Sequence, residues 1–165
     1  MLLEYNKGVD IPAELTFIAT EHLRLTREGK IEERERRASQ NTWRLKEIIE
    51  ERGHFLSEED PFEVSFAQWL IAYNANKDPK FQDDALDWME RAEGQVYPPT
   101  LAYMRDRVAV NHGRPQIYGT LNEGEVVDID RLMERRLSMG LSSSEGIMYP
   151  LNYPQEIEFG QPYIG

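Results

Sequence analysis

The chain has 165 residues and 40% hydrophobic content, enough to bury a core in one domain without staples. Asp and Glu number 30 against 19 Lys and Arg, a net charge of −11 that repels phosphate backbones and argues against a nucleic-acid partner. There is no cysteine, so disulfides, thiolate chemistry and zinc–thiolate sites are excluded, and no run approaches the roughly 18–20 apolar residues of a membrane span.

The opening stretch MLLEYNKGVDIPAEL has no basic segment leading into an apolar one, so no signal peptide is expected and a cytoplasmic location is. Pro12 sits at a first helical position, followed by Leu15, Ile18, Ala19, His22, Leu23 and Leu25 on one face, with a stop near Gly29. A second helix is predicted from about Ile31 to Arg52, burying Ile31, Ala38, Leu45, Ile48 and Ile49 and ending at Gly53. Its EERERR run, Glu32–Arg37, reads as a solvated face. Trp43, on the polar side, reads as a partly buried ring or as an exposed anchor for a partner.

The third helix, about Phe62 to Asn76, is apolar nearly all round and so is expected to be central. Asp78-Pro79 pairs an N-cap acid with a proline at N1 and opens a fourth helix carrying Phe81, Ala85, Trp88 and Met89. Pro98-Pro99 opens a fifth, LAYMRDRVAV, which breaks at Gly113 and is followed by GRPQIYGT. A turn at Glu123-Gly124 precedes a last helix over about Asp128 to Met139. The expected fold is mainly α: one compact bundle of five to six helices spanning residues 1–165. Its regular core covers about 12–141, and an irregular tail of about 142–165 completes a loop-rich C-terminal third.

Polar residues fall where apolar ones belong. On a helical wheel Asn41 lies with Ala38, Leu45 and Ile48; Asn74 with Ala67, Leu70 and Ile71; Gln82 with Phe81, Ala85 and Met89. Asp106 lies among Ala102, Ala109 and Val110, and Arg107 beside Tyr103. An unpaired buried amide costs about 1–3 kcal/mol, so these groups must meet one another, water or a ligand. A closed network fixing helix register is one outcome; convergence on a ligand is the other. In the ligand case Asp106 and Tyr118 are the candidate acid–base residues, Arg107 and Arg114 would hold an anionic group, and Asn41, Asn74, Gln82 and Gln116 would orient the ligand.

Other chemistries find less support. His22, His54 and His112 lie on separate segments without metal-ligand spacing, so no metal is expected. Ser142, Ser143 and Ser144 form no nucleophile elbow, no phosphate-binding glycine loop is present, and no cofactor is implied. Asp83, Asp84 and Asp87 read as a solvated helix face.

The stretch from about Ala38 to Leu141 resembles a bacterial protein family of unknown function. The likeness rests on Asn41, Leu45, Ile48 and Gly53; on Trp69-Leu70 and Asp78-Pro79-Lys80-Phe81-Gln82; and on LAYxxDRV followed by GRPQxYGT, from Leu101 to Val108 and Gly113 to Thr120. Where that pattern carries a His and an Asp after the Trp-Leu step, this chain has Asn74 and Asn76; Ala38 replaces an acid and Leu121 a glutamine. The resemblance implies a divergent member whose retained set suits hydrogen bonding better than proton transfer.

Two functions follow as expectations. The first is a cytoplasmic protein binding a polar small molecule among its helices, with a cofactor-free tailoring reaction compatible with the residues. The alternative is an acidic interaction module, an immunity or regulatory partner of a basic protein.

Overall fold

A computed structural model describes residues 10–92 and 94–141; the tail expected over 142–165, with Ser142–Ser144, lies outside the described residues. Those described are mainly helical, with six α-helices, one 3-10 turn and a single isolated β-bridge. They gather into two compact units that divide between Ile71 and Ala72, within the third helix.

In the first unit, α1 (Ile11–Arg27) starts where Asp10 accepts a hydrogen bond from the Ala13 N–H at 3.2 Å. It buries Leu15, Ala19 and Leu25, and the chain turns back through Glu28–Lys30 into α2 (Ile31–Arg52). Thr42, Leu45 and Ile48 line the buried stripe of α2, with Ala38 and Ile49 half-buried beside it; Ile31, expected inside, opens the helix and is exposed. Gly53 closes α2 in the left-handed region, φ 76°, with its N–H on the Ile49 carbonyl, a conformation glycine adopts without Cβ strain. Arg44 forks onto Glu14 of α1 at 2.7 and 2.8 Å, a bidentate tie between the two helices. Trp43 is 63% exposed, so of its two readings the exposed one holds; it lies off the Thr42–Leu45–Ile48 stripe.

The third helix, α3 (Phe62–Tyr73), is buried nearly all round as expected, with Phe66 against Phe62 and Trp69 at 5.9 and 5.2 Å. It ends at Tyr73 rather than Asn76. Asp78 precedes a proline and lies outside the helical region (φ −134°, ψ 69°), and two turns, Ala75 N–H to Ala72 O and Asp78 N–H to Ala75 O, take up the intervening residues.

In the second unit, α4 (Pro79–Arg91) is capped by the Asp78 carboxylate on the Phe81 N–H at 3.1 Å, and lays Phe81, Gln82, Ala85 and Met89 inward against α5 (Pro98–Asn111). The acidic face of α4 behaves as expected: Asp84 meets Lys80, Asp87 meets Arg91, and Asp83 meets His112. Beyond α5 the loop doubles back, its Gln116 bridging Val126. The last predicted helix begins as a 3-10 turn, Ile129–Arg131, and continues as α6 (Leu132–Ser138).

Candidate functional site

Asp106 is fully buried in the middle of α5, and its carboxylate faces the backbone of the GRPQIYGT loop. Oδ1 accepts from the N–H groups of Ile117 (2.7 Å) and Tyr118 (3.0 Å). Oδ2 accepts from the Thr120 N–H and the Thr120 hydroxyl, both at 2.9 Å. The negative charge is thus held by peptide dipoles and one hydroxyl, each a charge-assisted bond of about 1.5–3 kcal/mol. Gly119, at φ 60°, gives the reversal that lets residues on both sides of it present their N–H groups to one carboxylate. Its Cβ position would lie 3.4 Å from Val126 Cγ2. Gly119→Ala is therefore expected to cost about 1–2 kcal/mol from left-handed strain, read as a lower urea midpoint in equilibrium unfolding.

The opposite edge of the same loop is held by cations. Arg135 donates to the carbonyls of Ile117, Val127 and Asp128, and Arg136 to those of Tyr118 and Gly119. One ribbon of backbone is therefore clamped, its N–H groups by Asp106 and its carbonyls by two arginines. The sequence reading missed the arginine half of the clamp, because carbonyl partners leave no sequence signature.

Gln116 closes the loop onto itself, accepting from the Leu121 N–H at 2.8 Å and donating to the Leu121 and Glu123 carbonyls. Gln82 does the same for α3. Its amide nitrogen donates to the Tyr73 carbonyl at 2.8 Å and the Ala72 carbonyl at 3.3 Å, the orphan groups of a helix C-terminus, and its oxygen accepts from Asn111. Asn74 is half-buried just past the end of α3.

The remaining expected residues lie nearby or apart. The Arg107 guanidinium stands 5.0 Å over the Tyr73 ring, with Nη1 3.9 Å from Glu123. Burial raises the Tyr73 hydroxyl above its ordinary value and takes Tyr103, 6.1 Å from it, up to about 12, so both stay protonated. The buried Tyr118 hydroxyl accepts from Arg105 at 3.3 Å. Arg114 is solvent-exposed and belongs to none of these groups. Asp106 thus meets Tyr118 and Thr120 through their N–H groups and the Thr120 hydroxyl, while the Gln116 side chain turns to the Leu121 and Glu123 backbone.

Asn41 belongs to the first unit, where it lines a cleft of about 60 Å³ between α1 and α2. Phe17, Ile18, Glu21, His22 and Leu25 form one wall, and Arg34, Arg37 and Asn41 the other. The run read as wholly solvated therefore turns two of its arginines toward α1. Burial, with Arg34 adding to it, holds the His22 imidazole down at about 4, so it is neutral at neutral pH. Below the ordinary value of 6.5 the unfolded chain takes up a proton that the native protein refuses. The stabilisation is complete above pH 6.5 and is lost as the pH falls toward 4, a cost of about 1–3 kcal/mol. Urea midpoints measured from neutral pH down to that range are expected to fall less steeply for His22→Gln than for the parent.

A second buried cluster escaped the sequence reading. Gln68, fully buried on α3, donates to Asp60 at 3.1 Å, and Asp60 also takes Arg52. Gln68 lay on the same wheel that singled out Asn74, and its position in an otherwise apolar run was a legible signal.

On the surface of the second unit the 3-10 turn and α6 carry Ile129, Met133 and Leu137 at a spacing of four, 57%, 47% and 58% exposed. Val127 and Ile117, whose carbonyls take Arg135, are exposed as well. Glu123, Glu125, Asp128 and Asp130 are exposed in the same segment, while Arg131 is paired with Glu134 and Arg135 and Arg136 are spent on loop carbonyls. The segment thus presents apolar side chains in an acidic frame.

No protein-family model matches the chain, and comparisons with curated proteins and with solved structures found no match, so no activity passes to it from a relative.

Proposed function

We propose that this protein is an acidic interaction module that docks a basic, amphipathic segment of another protein on the Ile129–Met133–Leu137 face. The observation that carries the reading is the exposure of three large apolar side chains in one stripe, in a segment whose Glu125, Asp128 and Asp130 have no cation within ion-pair distance among the described residues. Water-exposed apolar strips of this kind favour burial on association, and the surrounding charge selects cations and speeds their approach. The Asp106 geometry supports the same choice, because a carboxylate engaged by four loop donors has no free lone pair directed at a substrate.

The test uses an amphipathic leucine–lysine helical peptide and a scrambled peptide of the same composition, followed by calorimetric titration. The amphipathic peptide is expected to bind more tightly, and Met133→Asp/Leu137→Asp to weaken it by about tenfold or more, the loss of roughly 1.5–3 kcal/mol of apolar burial. Both side chains are exposed, so the unfolding midpoint of the double variant should stay close to that of the parent. Equal binding of the two peptides, or of the two proteins, would remove the proposed face. Raising the salt concentration is expected to slow association with little change in dissociation, as rim charges act on encounter; salt-independent association would count against the acidic frame.

A further inference from the structure

We infer that the α1–α2 cleft is a binding site for a small anionic headgroup, a phosphate or carboxylate carried on an apolar body. The site is separate from the docking face and stands on different observations. Three hydrogen-bonding side chains line it with donors to spare. Among the described residues the His22 ring and the Asn41 amide make no hydrogen bond, and Arg34 makes one, from Nη1 to the Thr26 hydroxyl at 3.4 Å.

Arg34 also has no carboxylate within ion-pair distance among the described residues, in a chain with eleven surplus acids. Arg27, Arg36 and Arg114 share that condition but are open to solvent, and Arg135 shares it but spends its donors on three carbonyls; Arg34 is half-buried and has no such partners. Its neighbour Arg37 is already neutralised by Glu33 at 2.8 Å, and leans on Glu21 at 3.5 Å. Glu21, the acid on the cleft wall, is in turn held by Arg24 at 3.0 Å. With those charges matched, the cation left over in the cleft is Arg34.

An oxyanion seated against Arg34 would complete its charge, while the Asn41 amide and a neutral His22 N–H supply further donors. The volume is several times what one water needs and suits a headgroup rather than a whole cofactor. Phe17, exposed at the rim, and Ile18 beside it offer apolar contact to the rest of the molecule. A seated anion also removes the repulsion between Arg34 and a protonated His22, so the imidazole becomes a reporter of occupancy.

The experiment follows the ring signals of the three histidines by NMR through a pH titration in sodium chloride, then in sodium phosphate and in sodium acetate at matched ionic strength. Phosphate or acetate is expected to raise the His22 midpoint by about one pH unit, a tenfold gain in proton affinity, while His54 and His112 stay put. Movement with phosphate alone assigns a phosphate headgroup; movement with acetate assigns a carboxylate. In Arg34→Gln the anion-induced movement should vanish, and the variant's unchanged helical circular dichroism would show that it folds. A His22 midpoint indifferent to both anions would overturn the inference. So would equal movement of all three histidines, or equal movement in Arg34→Gln.

Discussion

Asp106→Ala is expected to destabilise the protein by about 3–5 kcal/mol, the largest effect of any single polar substitution. The change strands the N–H groups of Ile117, Tyr118 and Thr120 and the Thr120 hydroxyl in an interior where Asp106 is fully buried. Each stranded donor carries a desolvation cost of about 1–3 kcal/mol, offset in part as the loop relaxes toward water. Asp106→Asn keeps the shape but turns an NH2 toward donors that need an acceptor, so it should cost somewhat less, about 2–3 kcal/mol. Equilibrium urea unfolding followed by circular dichroism checks both. A carboxylate kept for proton transfer behaves in the opposite way, since its removal leaves stability nearly unchanged while activity is lost.

Gln82→Leu is expected to cost about 2–4 kcal/mol. Leucine is close in volume but removes the donor that meets the Ala72 and Tyr73 carbonyls, which a helix end cannot satisfy from within. It also removes the acceptor for the Asn111 amide. Gln82→Glu should be as harmful or worse, because a carboxylate oxygen would face two carbonyl oxygens. The comparison separates lost hydrogen bonding from altered packing, and both variants are read by the same unfolding experiment. If Gln82→Leu were neutral, the cap at the end of α3 would not be stabilising.

Much of this interior was legible in the sequence. The wheel positions of Gln82 and Asp106 marked them as polar groups on buried faces, and both are fully buried. The wheel could not name their partners. Those partners are backbone N–H and carbonyl groups, which every residue carries, and they are reached 9 to 14 positions along the chain. The same gap hid Arg135 and Arg136, which look like surface cations in sequence but close on the loop. The starts of α1 and α4 were legible because Pro12 and the Asp78-Pro79 pair mark them locally, though the Asp10 cap two residues before Pro12 was not singled out. The end of α3 was read three residues late, since the apolar pattern runs on after Asp78-Pro79 has already forced the chain out of the helix.

The clamp also explains why a long loop can carry a well-defined surface. Asp106 and Arg135/Arg136 fix the loop from both edges, and α6 is attached to the loop through those arginines, so the apolar stripe on α6 is presented by a fixed base rather than by a mobile segment. A binding face benefits from such preorganisation, because little conformational entropy is then lost on association. Scaffold and surface are in this sense one device.

The most direct test of that device is amide hydrogen exchange of the native protein, measured residue by residue by NMR. The Ile117, Tyr118 and Thr120 amides lie outside regular helix and would ordinarily exchange at loop rates. If Asp106 holds them as a structural clamp, they should be protected to within about tenfold of the α5 amides, opening only when the unit itself unfolds. Exchange at loop rates would mean that the carboxylate is free for other work, and would return Asp106 to the list of candidate reactive groups.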